Sequence, residues 1–268
     1  MSQFNSSYTK YHKMFLQSLM EETAMKMDVA NSLAFTLFNH HKAAKEIAVI
    51  NQVLDRVKMM IKKMVCDVTG HCYWVLVNTV TDETKILFKP FSKAQTNFIR
   101  DTLTEIGMSS EGFKSNMDIL NFCSKLKLSM AEGQMLLDNL VENKWLVVHE
   151  GQYYIGVRSK GQLMPFFKST FGEDNISSCP FCKQTIFYGI NCINCESLIH
   201  LSCLANFAKT QTTVDCLKCN KPISLEHIEI PEGCNNNEEE EEMELTQTSS
   251  KRASQKLRKS AKRKRSHI

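Results

Sequence analysis

The apolar positions begin at helical spacing, with Tyr11, Phe15, Leu16, Leu19 and Met20 on one face. A second helix is expected from Asp28 to about Phe38. A third, longer helix is expected from Ile47, Ile50, Val53, Leu54, Val57, Ile61 and Met64, which form one stripe. The period then shortens. Val65 to Val68, a turn at Thr69-Gly70, and Tyr73-Trp74-Val75-Leu76-Val77 predict two strands.

The same order returns further along. Ser92 is placed to cap a helix carrying Phe98, Ile99, Leu103 and Ile106. Ser115 or Asn116 opens another, with Ile119, Leu120, Phe122 and Cys123. Ser129-Met130-Ala131-Glu132 has the form of a capping box and precedes Leu136, Leu137, Leu140 and Val141. Trp145-Leu146-Val147-Val148 and Tyr153-Tyr154-Ile155 flank Glu150-Gly151 as a strand, turn and strand. A short helix from Leu163 to about Phe171 leads out. Three helices followed by a hairpin is the order of a winged-helix domain. The expected architecture is therefore an α+β multidomain chain: winged helices at 1–91 and 92–173, a small cysteine-rich domain at 174–225, and a disordered tail at 226–268. The two helical units repeat in architecture and share no residue repeat.

Composition sharpens this picture in two places. With 43% hydrophobic and 23% charged residues among 268, the chain has enough apolar content for a globular core. No apolar run approaches the ~18 residues of a membrane-spanning helix, and Lys10, His12 and Lys13 interrupt any signal-like core, so neither membrane nor secretory route is expected. The net charge of +4 is unevenly placed. The last eighteen residues hold nine Lys/Arg and no acid, and residues 232–244 hold seven acids and no base. Residues 1–231 are left with 24 basic and 22 acidic side chains, so the basicity belongs to the tail. There, Lys251-Arg252 and Lys262-Arg263-Lys264-Arg265 have the spacing of a bipartite nuclear import signal.

Cysteine carries the chemistry. Of eleven, Cys66, Cys72, Cys123 and Cys234 stand apart, while seven fall between Cys179 and Cys219. Cys179/Cys182, Cys192/Cys195, His200/Cys203 and Cys216/Cys219 are four pairs, each with two residues between its members. Zinc takes four soft ligands in a tetrahedron, and a C-x2-C pair presents two sulfurs to one ion, so eight ligands predict two closed zinc sites. Two pairings are open. Consecutive pairing would crowd two cations together, because only four residues separate Cys195 from His200. Interleaving is expected instead: Cys179, Cys182, His200 and Cys203 for one zinc, Cys192, Cys195, Cys216 and Cys219 for the other. It would tie a segment with little core into one unit.

Four cysteines, a histidine and three cysteines resemble the variant RING and PHD fingers. Val214 stands where PHD fingers usually carry an aromatic, which disfavours the latter. Together with Tyr11–Met20, Ser129–Val141, Asn143–Leu146 and Cys179–Cys182, the chain is similar over roughly residues 8–225 to the non-SMC element 1 homolog family, the RING-like subunit of the SMC five–six chromosome complex. The resemblance implies two winged helices, a cross-brace RING-like zinc domain and ubiquitin-ligase activity. It also implies a nuclear, chromosomal role in DNA repair and recombination, with a MAGE-family partner and a kleisin subunit.

The chain departs from the usual ligase pattern. Leu217 follows the seventh ligand in place of proline, and Asn220 with Lys221 replaces an immediate basic linchpin. Phe207 is the nearest substitute for a tryptophan between Cys203 and Cys216. Pro180, Phe181 and Leu217 are the residues expected to meet a ubiquitin-conjugating enzyme. Weak activity without a partner is expected, and a zinc-stabilised interaction scaffold is the alternative. No other catalytic group is expected, since closed zinc sites leave no position for water. The Met130–Glu142 helix carries Glu132, Asp138 and Glu142 and no base, which suits a protein partner better than DNA. Arg56, Lys58, Lys62 and Lys63, expected on the third helix, are more permissive of DNA.

Overall fold

The computed structural model describes residues 8–79, 91–226, 228, 231 and 233 of the chain. The tail basic clusters Lys251-Arg252 and Lys262–Arg265, the expected disordered segment beyond 233, Cys234, His227 and His267 lie outside the described residues.

Two mixed α/β units come first. In the first, α1 (Lys10–Glu22), β1 (Ala24–Lys26), α2 (Met27–Phe38) and α3 (Ala43–Leu54) precede β2 (Met59–Val65) and β3 (Cys72–Asn78). The three strands are antiparallel in the order β1-β3-β2. Phe15, Leu19, Ala30, Ala34, Ile47 and Ile50 fill the space between the helices and are fully or almost fully buried. Each large side chain among them contributes roughly 1.5–3 kcal/mol relative to exposure.

The first unit corrects one expectation. The helical stripe stops at Leu54; a 3-10 turn follows at Asp55–Val57, and Lys58 adopts a left-handed conformation with φ 56°. Ile61 and Met64 lie on a strand, which runs Met59–Val65 rather than starting at Val65. The cause is a side-chain clamp from α3. Asn51 Oδ1 accepts from the Ile61 N–H at 2.7 Å, and Asn51 Nδ2 donates to the Ile61 carbonyl at 3.0 Å. With seven residue pairs to β3, the extended form outweighs the helical spacing. Arg56, Lys58, Lys62 and Lys63 therefore do not share a helix face, and the basis for reading them as a DNA-facing helix is gone.

The second unit holds α4 (Lys93–Gly107), β4 (Phe113–Ser115), α5 (Asn116–Leu120), α6 (Phe122–Leu126), α7 (Met130–Glu142), β5 (Leu146–His149) and β6 (Gln152–Ile155). Its sheet runs β4-β6-β5. Three serines start its helices as expected: Ser92, Ser115 and Ser129 accept from the backbone N–H three residues on. The helix expected across Ile119–Cys123 is divided into α5 and α6. The exit contains the expected helix as α9 (Met164–Phe171), preceded by a short helix that the sequence reading did not include, α8 (Val157–Gln162).

The two units share a buried layer. Val75, Val77, Ala24, Cys66 and Val68 of the first pack with Tyr154 and Val157 of the second. Gly161 makes this approach possible: a Cβ there would already be 3.0 Å from Val77 Cγ1. Gln162 Nε2 donates to the Leu76 carbonyl at 2.7 Å, fastening α8 to the edge of β3.

The cysteine-rich segment follows, with β7 (Ile190–Asn191), β8 (Leu198–Ile199), α10 (Leu201–Ala208), β9 (Thr213–Asp215) and β10 (Pro222–Ser224). Its own core is small: Ile186, Ile199, Leu204 and Leu225 around the buried Cys179, Cys192 and Cys216.

Candidate metal centre

Each C-x2-C pair is shaped by the same backbone turn. The Lys183 N–H donates to the Cys179 carbonyl, Glu196 to Cys192 and Asn220 to Cys216, at 2.9, 2.8 and 2.8 Å. In return the N–H of Cys179, Cys192 and Cys216 each donates to the carbonyl five residues on, at 2.9 Å in all three. The turn needs a left-handed residue after the second cysteine, and Lys183, Glu196 and Asn220 have φ of 62°, 57° and 54°. Asparagine suits that conformation; lysine and glutamate carry some strain there. The fourth pair is built differently. His200 precedes α10 and Cys203 lies in its first turn, so a helix sets their spacing.

These turns bring the eight residues into two groups. Cys179, Cys182, His200 and Cys203 form one; Cys192, Cys195, Cys216 and Cys219 form the other. Within each group all ligand atoms lie within 4.8 Å of one another. The groups are thus interleaved along the chain. In the four-cysteine group, Cys192–Cys219 and Cys195–Cys216 are 3.8 Å apart between sulfurs. Sulfurs at ~2.3 Å from one tetrahedral ion would sit ~3.8 Å apart. In the other group His200 Nδ1 lies 3.2 Å from Cys182 Sγ and 3.9 Å from Cys203 Sγ. Those distances bracket the ~3.6 Å of a sulfur and a nitrogen sharing a tetrahedral ion. The donor set and spacing therefore fit two tetrahedral metal ions. Ser197 Oγ, 3.0 Å from Cys195 Sγ, offers the second group an outer hydrogen bond.

His200 is almost completely buried, and its other nitrogen faces away from the sulfurs. Nε2 lies 3.2 Å from Asp67 Oδ1, without an aligned hydrogen bond. Asp67 follows β2, in the first unit, and is itself buried. It pairs with Lys160 of α8, whose ammonium also donates to the Val65 carbonyl at 3.1 Å. Asp67 Oδ2 accepts from the backbone N–H of Phe187 at 3.0 Å. Burial opposes ionisation of this carboxyl, but the Lys160 ammonium, with His200, holds it below the usual carboxylate range.

Of the residues expected to meet a conjugating enzyme, Leu217 is exposed. Phe181 is half-buried against Phe207, ring centroids 5.4 Å apart. Pro180 is buried, which corrects its expected surface role, because the first knuckle turns it inward. Ile193, inside the second knuckle, is 98% exposed and was not expected from the sequence. Among the other histidines, His12 and His40 both reach Glu46, at 2.8 and 3.0 Å, and belong to the packing of the first unit. His12 Nδ1 accepts from the Thr9 N–H, so the proton on Nε2 is the one shared with Glu46.

Known proteins resemble this chain over most of its length. The sequence model of the family described as "Nse1 non-SMC component of SMC5-6 complex" matches residues 12–121, and that of a "RING-like domain" matches residues 179–219. The protein named "Non-structural maintenance of chromosomes element 1 homolog" is 28% identical in Bos taurus, over 79% of this chain and 83% of the relative. The Homo sapiens protein of that name is 27% identical over the same shares. A solved chain from a structure titled "Nse1-Nse3-Nse4 complex" superposes with a TM-score of 0.68 at 26% identity, covering 83% of this chain and 98% of that one. No described helix is long and apolar enough to cross a membrane. By these matches and by the two ligand groups in its RING-like segment, the chain is similar to the non-SMC element 1 homologs over most of its length.

Proposed function

We propose that this protein is a RING-type ubiquitin-ligase subunit of an SMC five–six complex, acting in the nucleus on chromosomes in DNA repair and recombination. The observation that carries the reading is the interleaving of two four-ligand groups inside the RING-like segment. Zinc suits both groups: it would be held by Cys179, Cys182, His200 and Cys203, and by Cys192, Cys195, Cys216 and Cys219. Bound there it supplies folding energy and no open coordination position.

Catalysis by such a domain is positional. The finger would hold a conjugating enzyme so that its thioester-linked ubiquitin meets an incoming amine, and no residue here forms a covalent intermediate. Leu217 and the half-exposed Phe181 supply the apolar contact. The two helical units read best as winged helices, since each places a short strand beside a C-terminal hairpin after packed helices. The acidic α7 favours a protein partner. Likeness to a chain from a complex of three named subunits supports a MAGE-family neighbour and a kleisin neighbour. The alternative, a zinc-stabilised scaffold without ligase activity, is favoured by Leu217 and Asn220 in place of the usual proline and linchpin.

The test is discharge of ubiquitin from a charged conjugating enzyme by the full chain, alone and with a MAGE-family subunit. Near-background discharge alone and a clear rise with the partner, abolished by Leu217→Ala, supports the ligase reading. No discharge under either condition leaves the scaffold.

A further inference from the structure

We infer that Asp67, a residue of the first helical unit, is a positioning residue for His200 and ties the mixed sulfur–nitrogen metal site to the body of the protein. The inference rests on the reading that Cys179, Cys182, His200 and Cys203 hold a metal ion.

Four donors from three parts of the chain converge on this one carboxylate. Lys160 of α8 and His200 Nε2 approach Oδ1; the N–H groups of Phe187 and Tyr188 approach Oδ2 at 3.0 and 3.4 Å. Asp67, Lys160 and His200 are each 2% exposed. A metal ion beside Cys182 and Cys203 takes the lone pair of His200 Nδ1, which leaves the ring proton on Nε2. That N–H is buried, and Asp67 is the acceptor within reach. A carboxylate behind a metal-bound histidine fixes its tautomer and ring orientation and strengthens it as a ligand. Here the carboxylate comes from a different domain. The same group that orients the ligand also closes the junction through Lys160 and the Phe187–Tyr188 backbone.

A plain structural role would be to neutralise Lys160. The two roles separate in the Asp67→Asn/Lys160→Met double variant, which leaves no unpaired buried charge. Asparagine offers one acceptor oxygen where three remaining donors need two, so His200 or the Phe187 turn loses its partner. The experiment loads the full-length chain and its variants with cobalt, whose visible absorption separates a site of three sulfurs and one nitrogen from a site of four sulfurs. Release of each ion to a chelator is then timed, and folding is followed by circular dichroism.

The expected result is release from the mixed site about 10-fold faster in the double variant, the low end for loss of an outer partner, with the four-sulfur site and the Lys160→Met single variant unchanged. Equal release in wild type and double variant, or equal acceleration at both sites, overturns the inference while leaving the metal reading intact. A wild-type chain that binds no metal overturns both. Should the double variant fail to fold, proton–nitrogen NMR of the metal-loaded wild-type imidazole decides: an Nε2 proton shifted downfield and slow to exchange, as in a hydrogen bond to a carboxylate, supports the inference, and an Nε2 proton at the shift of a free imidazole N–H sinks it.

Discussion

The Phe187 ring, from the cysteine-rich segment, packs against Phe167 of α9 with centroids 4.9 Å apart and planes at 57°. Phe167 is fully buried and Phe187 nearly so, in the core of the second helical unit. The finger therefore inserts an aromatic side chain into the neighbouring core and is anchored to it. The adjacent Tyr188 packs edge-on to Tyr154 at 4.8 Å. Gly112 lets the chain come this close, since a Cβ there would fall 2.2 Å from the Phe187 carbonyl oxygen. Phe187→Ala should destabilise the protein by about 3 kcal/mol, the lower range for removing a buried phenylalanine. Urea denaturation measures it; a loss below about 0.5 kcal/mol, the scale of an ordinary surface substitution, would mean that the finger is not anchored through this ring.

Removing any one ligand should empty both metal groups. Cys192→Ser breaks the four-sulfur group directly, but its knuckle lies between the Cys179 pair and His200, so the first group loses its frame as well. Elemental analysis of the purified variant should fall from two zinc ions toward none. A folded finger that retains one full ion would contradict the shared frame.

Gly133 in α7 faces Cys123 of α6 so closely that a Cβ would lie 2.4 Å from its sulfur and 2.9 Å from Leu120 Cδ2. Gly133→Ala gains up to about 1 kcal/mol of helix propensity, but overpacking costs about 1–3 kcal/mol. A net loss of about 1 kcal/mol is expected. Adding Cys123→Ala opens the space and should recover part of it. Thermal melting of the two variants decides, and a Gly133→Ala protein more stable than the parent would show that the helices part easily.

The capping box of α7 makes a pH-dependent contribution. Glu132 accepts from the Ser129 N–H at 2.8 Å and from its hydroxyl at 2.8 Å. These bonds favour the carboxylate and lower the Glu132 pKa. A depressed folded-state pKa stabilises above the unfolded value and is lost as pH falls through the folded one. The stability gap between wild type and Glu132→Ala should therefore be full at neutral pH and shrink on acidification below the ordinary glutamate range. A gap that grows toward acid pH would contradict the assignment. Ser129→Ala should cost about 1 kcal/mol at neutral pH.

Asn220 occupies the left-handed position of the third knuckle, φ 54°. Arginine there would provide the missing linchpin, a planar donor able to bridge ubiquitin and conjugating enzyme. Asn220→Arg should raise partner-free ubiquitin discharge while lowering finger stability by about 1 kcal/mol, because the longer side chain tolerates positive φ less well. Unchanged discharge from a folded variant would argue for the scaffold.

Local chemistry made much of this protein legible in its sequence. The x2 spacing of Cys179, Cys192 and Cys216 with their partners specifies short knuckles whatever surrounds them. The brief interval between Cys195 and His200 disfavours consecutive pairing, because two cations cannot sit that close. Ser92, Ser115 and Ser129 marked helix starts because an N-cap is satisfied within one turn. Other features depended on partners far along the chain. Ile61 and Met64 fit a helix or a strand equally well, and the choice fell to Asn51 and the facing β3, which periodicity does not see. Pro180 carries no mark in the sequence of the side it faces. Asp67 reads as an ordinary turn residue until folding places it against Lys160, 93 positions away, and the Phe187 backbone, 120 away. A buried carboxylate acquires its role from the charges and donors brought to it, and only the tertiary structure assembles them.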